Sequence, residues 1–256
     1  MRPVVLCFSG LDPSGGAGLQ ADIESSAALG AHAAVICTAL TVQDSQRVHG
    51  FEAVSAGLIR QQAEAVLADL PVAAIKLGML GSAAIADVVA GILKKNPAIP
   101  VVLDPVLAAN SGGSLAADGL AQGLFRLMPL ITVMTPNSLE ARRLAETDDL
   151  NEAVARLAAR GAAHILLKGG HEPGRLLLNR LYRGTTLLRE SATPRLPGAF
   201  HGSGCTLASA LAAGLAAGLD LSSAVAQAEA FVAQALARAD RPRETGQFLP
   251  RRVSPP

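Results

Sequence analysis

The chain alternates short, continuous apolar runs with longer stretches in which apolar positions recur every three or four residues. β-Branched or leucine-rich runs stand at Val4–Phe8, Ala33–Val42, Ala73–Leu77, Val101–Asp104, Leu130–Thr135 and Ala163–Lys168. Between them, Gly18–Leu29, Ser55–Leu70, Ser82–Lys95, Leu115–Leu127, Ser138–Glu146 and Asn151–Arg160 carry helical spacing. Strand then helix, repeated, predicts βαβ units: an α/β fold with a mainly parallel central sheet and helices on both faces. Leu176–Arg183 and Thr186–Glu190, split by Gly184-Thr185, read as a short edge hairpin. Two more helices follow, at Cys205–Ala217 and Leu221–Arg238. The Pro- and Arg-rich tail Glu244–Pro256 is expected to be irregular. No linker, repeat or low-complexity tract breaks the pattern, so a single domain over 1–256 is the expectation.

Composition narrows this picture. Half of the 256 residues are apolar, yet there is no Trp and only six Phe and one Tyr. The core must therefore be aliphatic, which suits parallel strands covered on both faces better than a stacking platform for bases. A formal charge of +1, from 22 basic and 21 acidic residues, leaves no basic footprint, so a nucleic-acid partner is not expected. The three cysteines are widely spaced, form no CxxC pair and suggest reduced thiols in a cytoplasmic protein. No apolar stretch is long enough to cross a membrane, and the run Val4–Phe8 is too short for a signal peptide.

In open α/β sheets ligands bind beyond the carboxyl ends of the strands, so the turns there should hold the chemistry. The first such turn contains Gly16-Ala17-Gly18-Leu19-Gln20-Ala21, a G-x-G-x-x-A match to a dinucleotide fingerprint. The acidic residue that pattern needs about 20 residues later is missing, since Asp44 lies too far on. His201-Gly202-Ser203-Gly204-Cys205 opens a helix, where backbone N–H groups and the helix dipole favour an anion such as a transferring phosphoryl group. Cys205 is there either a thiol of lowered pKa or a buried packing residue. Asn137 and Glu140, three apart after Thr135-Pro136, either cap a helix or hold a Mg²⁺-bound water or a phosphate oxygen. Asp104 ends a strand before Pro105, as a ligand-facing carboxylate or an Asx turn. Lys168 and Lys76 end strands before glycines, meeting phosphate charge or reaching water. No histidine pair has zinc spacing, and neither a Walker A loop nor a nucleophile elbow occurs.

Together these motifs resemble the hydroxymethylpyrimidine/phosphomethylpyrimidine kinases of thiamin biosynthesis, from about Val4 to about Asp240. The resemblance rests on Asp12-Pro13-Ser14-Gly15-Gly16-Ala17-Gly18 with Gln20-Ala21-Asp22, Lys76-Leu77-Gly78-Met79-Leu80 and Asp104-Pro105-Val106. Thr135-Pro136-Asn137 with Glu140, Lys168-Gly169-Gly170-His171 and His201-Gly202-Ser203-Gly204-Cys205-Thr206 complete it. It implies a ribokinase-like fold, ATP and Mg²⁺, a pyrimidine substrate phosphorylated twice, and a homodimer. Gln43 then corresponds to the residue that hydrogen-bonds the aminopyrimidine, with Gly10, Asp22, Met79 and Val106 lining that pocket. Cys205 matches the family's catalytic cysteine and Gly202, Ser203 and Gly204 its anion hole. Asp104, Asn137 and Glu140 would organise Mg²⁺ and phosphates, and Lys168 would meet the nucleotide. Two positions depart from the family pattern: Ser203 stands where Thr is commoner, and Asp44-Ser45-Gln46-Arg47-Val48 follows Gln43 as a possible lid. Pyridoxal or pyridoxine kinase is the nearest rival function, and a non-catalytic binding protein of the same fold a distant one.

Overall fold

A computed structural model describes residues 1–107 and 119–253. In chain order the elements are β1 (Val4–Leu11), α1 (Gly18–Ala28), β2 (His32–Gln43), β3 (Val48–Ala53), α2 (Ala56–Asp69), β4 (Val72–Leu77) and α3 (Ala83–Lys95). There follow β5 (Val101–Leu103), α4 (Leu120–Leu127), β6 (Val133–Met134), α5 (Ser138–Ala145), α6 (Leu150–Ala159) and β7 (His164–Lys168). The chain continues through β8 (Leu176–Arg183), β9 (Thr186–Pro194), α7 (Ser203–Ala216) and α8 (Leu221–Ala237). One sheet of nine strands, in the order β3-β2-β1-β4-β5-β6-β7-β8-β9, runs through them. From β2 to β7 neighbouring strands pair parallel, while β3, β8 and β9 are antiparallel additions at the two edges.

The alternation along β1 shows why the strands are apolar throughout. Val4, Leu6 and Phe8 point into a core formed with α2 to α6, whereas Val5 and Cys7 point to a second core formed with α7 and α8. Both faces are covered, so no position in this stretch is free to be polar. Phe8 is wholly buried, and truncating such a side chain to Ala typically costs about 3–5 kcal/mol. Tyr182, the sole tyrosine, closes the first core from β8.

Several boundaries differ from the sequence reading. The run Leu130–Thr135 yields only the two residues of β6, because Met128–Leu130 with Pro129 forms a 3-10 turn. β5 stops at Leu103, leaving Asp104 just past the strand. α4 begins at Leu120, and residues 115–118 of the expected helix lie outside the described residues. β3 was not anticipated: His49, Gly50 and Glu52 break the apolar pattern of this outer strand. Among its described residues the tail holds no helix or strand, but Phe248 bridges Phe200 and Leu249 bridges Asp240.

Candidate active site

The sheet order reverses at β1. The chain moves from β1 out to β2 and β3, then returns to the other side of β1 as β4. That reversal sets the expected ligand crevice beyond the carboxyl ends of β1 and β4, where such sheets place their ligands. Below it lies an ion pair. Lys76 Nζ sits 2.8 Å from Asp22 Oδ1 and donates to Ser9 Oγ at 2.8 Å, and Asp22 also accepts from Ser209 Oγ at 2.6 Å. Lys76 and Asp22 have no exposed surface. Burial alone would favour loss of the ammonium proton, but Asp22, then Cys205 and Asp104, outweigh it and raise the Lys76 pKa. The reading in which Lys76 reaches water does not survive: its side chain is fully buried against Asp22. Asp22, equally buried, is engaged with Lys76 and Ser209.

The next strands assemble a second charged group. Asp104, buried just after β5, accepts from Lys168 Nζ at 2.9 Å and from Thr135 Oγ1 at 3.2 Å. Lys168 ends β7, and its N–H bonds the Pro136 carbonyl at 2.9 Å, which brings the start of α5 alongside. There the capping reading holds in full. Asn137 Oδ1 accepts the Glu140 N–H, and Glu140 Oε2 accepts the Asn137 N–H, each at 2.8 Å. Burial, opposed by Lys168 and reinforced by Asp104, lifts the Glu140 pKa to about 7. Lys168 is held protonated above its ordinary pKa, since Asp104 and Glu140 outweigh its burial.

α7 closes the site from above. Its N-cap, Gly202, adopts φ 76°, and a side chain there would collide with the Gly16 carbonyl. Glycine is therefore required twice over, by the left-handed backbone and by the close approach. At Gly204 a methyl group would lie 3.1 Å from Lys168 Nζ and 3.5 Å from Asp104 Oδ2. The start of α7 at Gly204 thus stands against the Lys168–Asp104 pair. The helix starts at Ser203, so Cys205 lies within its first turn and is half-buried. Its thiol is not the low-pKa group expected at a helix start. Burial pushes it up, Lys76 opposes, and the carboxylates Asp104 and Asp22 reinforce the rise. Cys205 therefore rests as a thiol.

A small apolar patch lies on the β1–β2 side of the crevice. Ala39 and Met79 form its buried part, with Val48, Phe51 and Val106 packed against them, and Gly10 borders Met79 and Ala39. Gln43 ends β2 half-buried beside it, paired with Val48. The segment read as a possible lid is a closed turn. Asp44 Oδ1 accepts the N–H groups of Gln46 and Arg47 at 2.7 and 3.0 Å, and Oδ2 meets His49 Nε2 at 3.1 Å.

Two features escaped the sequence reading. Asp12 Oδ2 meets His201 Nε2 at 2.7 Å, tying the loop after β1 to the entrance of α7. Burial opposes ionisation of Asp12, yet hydrogen bonds from His201 and Ser14 hold its carboxyl below the usual range. Both residues stood in recognised motifs, but nothing in a linear string pairs positions 12 and 201. The second is Arg252, buried beneath the same loop, which a Pro- and Arg-rich tail gave no reason to place there.

A family profile described as phosphomethylpyrimidine kinase matches residues 12–248. The chain belongs to this family. The hydroxymethylpyrimidine/phosphomethylpyrimidine kinase of Rhizobium meliloti (strain 1021) is 39% identical over 261 residues, spanning 96% of this chain and 95% of that protein. Among solved structures, phosphomethylpyrimidine kinase (thiD) from Clostridium difficile 630 superposes with a TM-score of 0.78 at 30% identity, covering 92% of this chain and 100% of that one. The pyridoxal kinase from Staphylococcus aureus in complex with AMP-PCP and pyridoxal gives a TM-score of 0.86 at 29% identity, covering 98% and 94%. The ribokinase-like α/β fold expected from the motifs is thus the fold observed.

Proposed function

We propose that this chain transfers the γ-phosphoryl group of ATP to 4-amino-5-hydroxymethyl-2-methylpyrimidine, and then to the resulting monophosphate, in thiamin biosynthesis. The observation that carries the reading is the N-terminus of α7, stripped of side chains at Gly202 and Gly204, over the Lys168–Asp104 pair. Phosphoryl transfer needs positioning and charge stabilisation more than covalent chemistry. Backbone N–H groups at the helix start and the Lys168 ammonium supply both for the oxygens of the moving group. The apolar patch around Met79 and Val106 suits a flat ring, and Gln43 offers it an amide.

Mg²⁺ fits the residues present. The donors are carboxylate oxygens, as a hard cation prefers, and Glu140 carries a pKa raised by burial and by the charge of Asp104 beside it. Among the described residues no three His, Cys, Asp or Glu side chains converge to hold a metal, which matches an ion held by one or two carboxylates plus substrate phosphates. Asp104 and Glu140 would hold it, through water; when bound it neutralises charge on the phosphates.

The first phosphorylation must shed a hydroxyl proton, whereas the second starts from a phosphate oxygen already ionised near neutral pH. Cys205, a thiol at rest, accepts that proton only in its ionised minority form. Its assigned base role therefore concerns the first step. A homodimer is supported by an apolar strip at the edge of the crevice: Leu11 pairs with Leu40, which is half exposed, and Val42 is 64% exposed. Among the described residues no helix is long and apolar enough to cross a membrane, and together with the free thiols this supports a cytoplasmic assignment.

A second reading, phosphorylation of pyridoxal, is favoured by the TM-score of 0.86 to a pyridoxal-bound kinase. Coupled ADP release with Mg·ATP, run on hydroxymethylpyrimidine, its monophosphate and pyridoxal, separates the two. Turnover of both pyrimidines with pyridoxal poor is the expected result. Turnover mainly of pyridoxal would transfer the protein to vitamin B6 salvage, and no ADP from any of them would remove the kinase assignment.

A further inference from the structure

Arg252 lies past residue 248, where the match to the family ends, yet its side chain is 1% exposed. A buried guanidinium is costly unless its donors are used, and here all three nitrogens are engaged. Nε donates to Thr206 Oγ1 at 2.9 Å, Nη1 to the Gly15 carbonyl at 3.4 Å, and Nη2 to the Gly16 carbonyl. Nη1 also meets Glu24 Oε2 at 3.1 Å. Thr206 in turn donates to the Gly202 carbonyl at 2.8 Å. One side chain thus joins the loop after β1 to the first turn of α7, the two segments that also meet through Asp12 and His201.

The tail that delivers Arg252 is itself tied down along its course. Gln247 N–H reaches the Ser45 carbonyl at 3.3 Å, beside the turn that follows Gln43. Phe248 packs on Phe200 with ring centroids 5.4 Å apart, and exchanges backbone bonds with Ala199 and His201 at 2.8 and 2.9 Å. Leu249 and Asp240 bond reciprocally at 2.9 Å. The tail therefore touches the substrate-side turn, the approach to the anion hole and the glycine loop in six successive residues.

We infer that Arg252 is a positioning residue, and Gln247–Arg252 a strap that sets the spacing between the glycine loop and the α7 N-terminus. The inference rests on the kinase reading for its catalytic consequence. Arg is needed there because its planar fork reaches four acceptors at once, whereas a lysine ammonium keeps only the charge beside Glu24.

The test compares the wild-type chain with Arg252→Lys and Arg252→Ala, measuring steady-state turnover and amide hydrogen exchange over residues 12–18 and 202–207. In a folded variant kcat is expected to fall about tenfold or more, while KM for Mg·ATP and pyrimidine changes less than about threefold, as misplacement of bound groups predicts. Exchange should quicken in both segments. Wild-type kcat in either folded variant overturns the inference, as does unchanged exchange in both segments. If both variants fail to fold, Arg252 is a structural residue and the positioning role falls. If the wild-type chain turns over none of the substrates, the kinase reading fails by itself, and the exchange data alone decide whether the strap exists.

Discussion

At the scale of single residues, charge balance in the crevice sets the behaviour of Glu140 and Cys205. The native Glu140 carboxyl, lifted to about 7 by burial, keeps a proton that the unfolded chain sheds near its ordinary 4.5. Between those values the folded state binds more protons, so this group's contribution to stability declines as pH rises from about 4.5 to about 7. Glu140→Gln keeps an oxygen for the Asn137 N–H but cannot ionise. It should therefore melt higher than the wild-type chain at pH 8, with the gap closing by pH 5, while kcat/KM falls about 10- to 100-fold. A variant melting lower at pH 8 would contradict the assigned pKa. For Cys205, the raised thiol pKa means the first phosphorylation should still be accelerating at pH 9, whereas the second levels off. Cys205→Ala should abolish that alkaline rise; a first-step profile unchanged by the substitution would end the base role. Asp104, Asn137, Glu140, Lys168 and Cys205 were all legible as residue types at strand ends and helix starts. The ionisation states of Glu140, Lys168 and Cys205 were not, because these depend on which charges the fold brings together from positions 22, 76, 104, 140 and 168.

Among elements, β1, β4 and α1 meet at the Lys76–Asp22 pair. Removing one partner leaves the other as an uncompensated buried charge, which typically costs about 3–5 kcal/mol. Lys76→Met should accordingly lower the urea midpoint sharply, and adding Asp22→Asn should restore much of the loss. A double variant less stable than Lys76→Met would mean that Asp22 matters chiefly through Ser209. The hydrophobic pattern announced the central strands and most helices, since elements covered on both faces must be continuously apolar. It failed for β3, a half-exposed strand with His49, Gly50 and Glu52 in its line. It also failed for the start of α7, where the backbone freedom of Gly202 rather than hydrophobic spacing sets the first turn.

For the whole molecule, the resemblance spread across almost the entire chain conveyed the fold, because six turn motifs in order imply one sheet order. Contacts between distant parts of the chain stayed hidden: Asp12 with His201, and Arg252 with Gly15, Gly16 and Thr206. The apolar strip of Leu11, Leu40 and Val42 also belongs to this scale. If it is an interface, light scattering should give twice 26.1 kDa, and Leu40→Lys with Val42→Lys should halve that mass. A wild-type monomer would dismiss the dimer. The burial of Tyr182 in β8 has an optical consequence. With no tryptophan in the chain and this single phenol in the core, intrinsic emission reports whether the far edge of the sheet is intact and stays silent about the crevice. Unfolding can be followed on the unmodified protein, whereas ligand titrations will require a fluorescent nucleotide or an indole introduced near Met79.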